Sequence, residues 1–102
     1  MTRLILSTIF IAFAAGAQAA PYPLGTMTCD DIGAFASEAM QWRKDGMPRE
    51  QAMAELEKRH YNDPVEKKNL IAVAGMVFGG YGNNWTVETA GNVMRNDCLK
   101  GR

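Results

Sequence analysis

Two cysteines stand near the ends of what an export signal would leave behind, and they constrain this chain more than any other feature. Residues 1–19 have the form of a secretory leader. Arg3 supplies a positive start, Leu4 to Ala15 is an apolar run broken only by Ser7 and Thr8, and Ala17-Gln18-Ala19 fits the small-x-small cleavage rule. Cleavage there leaves one domain, residues 20–102, beginning at Ala20. The apolar run is shorter than the roughly 20 residues a membrane-spanning helix needs, so no stable membrane insertion is expected. No cysteine directly follows the cleavage site, which argues against a lipid anchor. The leader reads as bacterial, with the periplasm, or full secretion, as destination.

An oxidising compartment makes a Cys29–Cys98 disulfide the expected state of the two thiols. It would close a loop of about 70 residues, which the chain-entropy model values at about 4.4 kcal/mol. That is a large share of the ~5–15 kcal/mol by which small domains are stable. With no third cysteine and His60 as the sole histidine, no zinc ligand set is present, and no cofactor is expected.

Charge excludes two classes of partner. One of the eleven basic residues is Arg3 in the leader, against eleven acidic residues, so the mature chain is one charge negative with His60 neutral. Nucleic-acid binding needs a basic face, and none is present. Lys67-Lys68 is a pair rather than a polybasic run for an anionic membrane.

Periodicity predicts an all-α fold, a small four-helix orthogonal or bundle-like domain closed by one disulfide. After an extended arm, Thr28 caps a first helix from Cys29 to about Lys44, stopped by Gly46. Its inward stripe is Cys29, Ile32, Phe35, Ala36, Ala39, Met40 and Arg43. A second helix runs from about Pro48, at the first helical position, to His60. Ala52, Met53, Leu56 and His60 face inward, and Arg49, Glu50, Glu55, Glu57, Lys58 and Arg59 face outward. Asp63 caps a third helix, Pro64 to Phe78, apolar around most of its circumference and therefore expected at the centre of the core. A Gly-rich break, Gly79 to Asn84, reads as a flexible or left-handed helix stop. The last helix runs from Trp85 or Thr86 to Leu99, with Val87, Ala90, Gly91, Met94 and Cys98 inward. Gly75-x-x-x-Gly79 reads as a place where two helices approach closely. The methionines read mainly as core filling.

No pattern carries catalysis. G-x-S-x-G, C-x-x-C and H-E-x-x-H are absent, and Gly79-Gly80-Tyr81-Gly82 lacks the Lys and Ser/Thr of a phosphate-binding loop. His60 has only Glu57 and Asp63 nearby in sequence, and reads as a helix-end histidine facing the last carbonyls. The candidate contact surface is aromatic: Trp42, Tyr81 and Trp85, for a peptide or glycan if exposed, or as a cover over the core.

In Thr28-Cys29-Asp30-Asp31, Arg43-Lys44-Asp45-Gly46-Met47-Pro48, Ala52 and Asp97-Cys98-Leu99, the chain resembles a group of small bacterial periplasmic proteins, helical and closed by one disulfide. That resemblance covers nearly the whole mature chain and implies no activity. More loosely, the Thr-Cys-Asp start and single disulfide are similar to the acid-stress periplasmic chaperones. The expected function is non-catalytic binding or interaction, with a periplasmic protein as candidate partner. Alternatives are an acid or stress chaperone, or an immunity or inhibitor protein against an envelope-targeting toxin. A small hydrolase using His60 ranks last.

Overall fold

A computed structural model describes residues 22–100; the expected leader and cleavage site lie outside the described residues. Four α-helices follow one another: α1 (Cys29–Lys44), α2 (Arg49–Lys58), α3 (Pro64–Phe78) and α4 (Val87–Lys100), with a 3-10 turn, Gly80–Asn84, between the last two. The all-α expectation holds, and Cys29 and Cys98 are bridged, with Cα atoms 5.5 Å apart. No helix among the described residues is long and apolar enough to cross a membrane.

Local chemistry sets most helix ends. Thr28 and Asp31 form a reciprocal capping box: the Asp31 amide donates to Thr28 Oγ1 at 3.1 Å, and the Thr28 amide donates to Asp31 Oδ2 at 2.9 Å. Met27 just before the cap and Ile32 within the helix both enter the core, the arrangement of a hydrophobic staple. Gly46, with φ at 94°, takes the left-handed position after α1 that a side chain would resist. Asp63 caps α3 by accepting from the Glu66 amide at 2.8 Å, with Pro64 at its first position. The Thr86 hydroxyl does the same for α4, accepting from the Thr89 amide at 3.0 Å.

The helices are organised around α1, not α3. α1 packs most extensively on α4, then on α3, and also touches α2. α3 is less central than its composition suggests because only Asn69, Leu70, Val73, Ala74 and Val77 are buried, while Ala72 is exposed. The α1–α4 seam is built from small residues. A Cβ at Gly33 would lie 2.9 Å from the Gly91 carbonyl oxygen, and one at Gly91 would lie 2.3 Å from Ser37 Oγ. Ser37 Oγ in turn donates to the Val87 carbonyl at 2.9 Å. Cys29, Gly33 and Ser37 are four residues apart, so they stack on one face of α1. The close approach expected at Gly75-x-x-x-Gly79 is therefore found elsewhere: a Cβ at Gly75 would meet only Arg49 Nη2, at 3.7 Å.

Two further expectations are corrected. α2 starts one residue later, because Pro48 is extended (φ −71°, ψ 155°) and serves as the cap whose carbonyl accepts from Gln51 and Ala52. It also ends before Arg59, whose extended backbone takes it out of the charged outer face. The Gly-rich break is neither left-handed nor loosely held. Its glycines are absent from the positive-φ set, which among the described residues is Gly25 and Gly46. Arg43 Nη1 donates to the Val77 and Gly79 carbonyls at 2.7 and 3.1 Å, and Nη2 donates to Asn83 Oδ1 at 2.7 Å. One guanidinium thus satisfies the end of α3 and clamps the turn to α1.

Gly82 is buried beneath that clamp, where a Cβ would sit 2.0 Å from the Val77 carbonyl oxygen. Gly80, two residues away, has open space around it. Gly82→Ala is expected to lower stability by about 2 kcal/mol or more, and Gly80→Ala to change it by under about 0.5 kcal/mol. Urea denaturation of both variants checks the contrast; equal effects would contradict the clamp.

Candidate functional site

The three aromatic candidates occupy three different settings. Trp42 is half-buried on α1, meeting the Phe35 ring edge-on at a centroid distance of 6.0 Å. The Arg59 guanidinium lies 5.7 Å from the Trp42 ring centre and 5.5 Å from that of Phe35, while pairing with Glu38 at 2.8 Å. Trp42 is thus covered by a cation–π contact that sequence periodicity had no means of showing. Trp85 is half-buried and packs on the core. Tyr81 is the outward member, 71% exposed on the clamped turn.

His60 is exposed, two residues past the end of α2, and makes no hydrogen bond to the described residues. The helix-end role expected of it belongs to Tyr61, whose hydroxyl donates to the Leu56 carbonyl at 2.6 Å. Its sequence neighbours are committed elsewhere, Glu57 to Lys67 at 2.6 Å and Asp63 to the α3 cap. Among the described residues no cluster of His, Cys, Asp or Glu is placed to hold a metal ion, and both cysteines are bridged.

The feature that sequence reading missed is a groove of about 460 Å³ between α3, α4 and the N-terminal arm. α3 and α4 both pack against α1 but hardly against each other, which leaves the space between them open. Ala72, Val73, Met76 and Met94 make its walls apolar, Tyr22 closes one side, and Lys68, Asn69 and Asp97 bring polar groups to it. The arm is held there by Asn69, which is 7% exposed and whose Nδ2 donates to the Pro23 carbonyl at 2.9 Å. A tight turn follows, the Met27 amide donating to the Leu24 carbonyl at 3.0 Å. The volume falls within the ~300–1,000 Å³ typical of small-molecule sites, as does the combination of an apolar lining with a few polar groups.

Tyr22 is the unusual residue of the groove. Its hydroxyl is buried with no hydrogen-bond partner among the described residues, a state that native proteins largely avoid. Burial, reinforced by the nearby Asp97 carboxylate, pushes its phenol above the ordinary tyrosine range. Burial also raises Tyr61, with Arg59 and Lys67 opposing.

The signal for the groove was present in part: Ala72 and Met76 continue the apolar circumference of α3 beyond what α1 can cover. Nothing local indicated that Tyr22 would fold onto it. Compared with known proteins, the chain matches no family model, no curated protein and no solved structure.

Tyr22→Phe removes an unsatisfied hydroxyl without opening a cavity. Stability near neutral pH is expected to stay level or rise by up to about 1 kcal/mol. A phenol raised in the folded state contributes stability that is complete below the unfolded value of about 10 and is lost as pH rises through the folded value. The variant should therefore lose part of the alkaline decline, leaving that of Tyr61. Urea denaturation from neutral pH to about pH 11 tests both, on either side of the tyrosine range. Destabilisation above about 1 kcal/mol would mean that the hydroxyl is bonded.

Proposed function

We propose that this chain is an exported, non-catalytic binding protein of the bacterial envelope, with the groove between α3, α4 and the arm as its ligand site. The groove carries the reading: it is apolar-walled, bordered by groups that could orient a ligand, and closed on one side by a tyrosine hydroxyl that lacks a partner. The leader pattern of residues 1–19 and the Cys29–Cys98 bridge support export. The resemblance to small periplasmic helical proteins points the same way. Exposed Tyr81 is a separate contact point and needs no part in this role.

Native mass spectrometry of protein taken from a bacterial periplasmic fraction tests the reading. The expected species begins at Ala20, is two hydrogens lighter than the reduced chain, and carries a small-molecule adduct that Ala72→Trp, which fills the groove from its exposed wall, abolishes. A chain found in the cytoplasm with its leader intact, or an adduct indifferent to Ala72→Trp, would contradict it.

A further inference from the structure

We propose that the groove takes a zwitterionic ligand with an apolar body, of the α-amino-acid class, its ammonium facing Asp97 and its carboxylate facing Lys68. This inference rests on the groove being the ligand site and specifies what that site selects. The two charges come from opposite banks, Lys68 from α3 and Asp97 from α4. Among the described residues Arg95 pairs with Asp30, Arg59 with Glu38, Lys67 with Glu57 and Lys58 with Glu55, while Lys44, Glu50, Glu88 and Lys100 are exposed charges outside the groove that also stand in no ion pair. Lys68 and Asp97 make no ion pair with each other or with another described residue.

Helix stability does not explain their placement. Asp97 lies in the last turn of α4, where the helix dipole disfavours a negative charge, and Lys68 lies in the N-terminal half of α3, the end that favours anions. A mouth with one positive and one negative bank binds neither a simple anion nor a simple cation to best advantage, because each meets one repelling group. A head group carrying both charges meets two attracting ones.

The rest of the lining fits the same class. The Asn69 side-chain oxygen Oδ1 has no hydrogen-bond partner, its Nδ2 being engaged with the Pro23 carbonyl, and it can accept from an ammonium. The partnerless Tyr22 hydroxyl, on the Asp97 side of the groove, can accept from the same ammonium. Behind these lie Val73, Met76 and Met94, and thioethers accommodate aliphatic or aromatic side chains of varied shape. The groove's volume of about 460 Å³ lies within the small-molecule range of about 300–1,000 Å³. That suits one large apolar amino acid rather than a folded protein segment.

The test uses the oxidised chain from Ala20 and four probes sharing one ring: L-phenylalanine, phenethylamine without the carboxylate, 3-phenylpropanoate without the ammonium, and uncharged propylbenzene. Amide chemical-shift titration by NMR locates and ranks binding. L-phenylalanine should move the amides of residues 68–76 and 94–97 and bind about tenfold tighter than either singly charged probe, the scale of one charged hydrogen bond. Lys68→Gln should weaken L-phenylalanine and 3-phenylpropanoate but not phenethylamine, and Asp97→Asn should weaken L-phenylalanine and phenethylamine but not 3-phenylpropanoate. Groove shifts with equal affinity for all four probes would overturn the head-group assignment while leaving the groove as a binding site. No shift in the groove with any probe would overturn both.

Discussion

The α1–α4 seam is the constraint on which the rest of the structure depends. Cys29 and Cys98 join the helices covalently at one end, Gly33 and Gly91 bring them into near contact in the middle, and Ser37 bonds the first turn of α4 at the other end. A helix pair fixed at three levels has little freedom to rotate or slide. α3 and the arm then pack on what α1 still exposes. A protein of this size buries a modest fraction of its surface and gains disproportionately from a covalent closure. Here the closure lies on the most intimate helix contact, so entropy and packing act on the same pair.

The groove follows from that seam. Because α1 engages α4 so closely, α3 meets α1 on a neighbouring face and is left splayed from α4. Asn69, holding the Pro23 carbonyl, lays the arm along one side of the opening rather than across the core. Rigidity is unevenly shared: α2 buries only Ala52 and Leu56 and is tied by ion pairs from Arg59 to Glu38 and from Lys67 to Glu57. Exposed ion pairs contribute little, so α2 is the element expected to open at the lowest free-energy cost. The groove-forming helices share the better-packed part of the molecule.

Much of this was legible from residue patterns, and the parts that were not have a common cause. Caps are local, so Thr28, Gly46, Asp63 and the bounds of α1 and α3 could be read directly. The disulfide followed from the expected oxidising compartment and the cysteine count. What failed depended on how helices meet. Arg59 was placed with the outer charges, yet leaves the helix to cover Phe35 and Trp42. Gly79 to Asn84 looked like a loose stop, because the guanidinium that clamps it comes from Arg43, 36 residues before Gly79. The apolar circumference of α3 suggested a central helix, where part of it borders an open groove. Of the contact residues chosen from sequence, Tyr81 is exposed, while Trp42 and Trp85 are half-buried. Composition marks a residue as apolar without saying which neighbour, if any, covers it.

Amide hydrogen exchange on the intact, oxidised protein tests the central claim most directly. If the seam organises the fold, the slowest amides lie in the facing middles of α1 and α4, around Ala36, Met40, Ala90 and Met94, and those of α2 exchange fastest among the helices. Slowest exchange in α3, with α1 and α4 opening independently of each other, would contradict it.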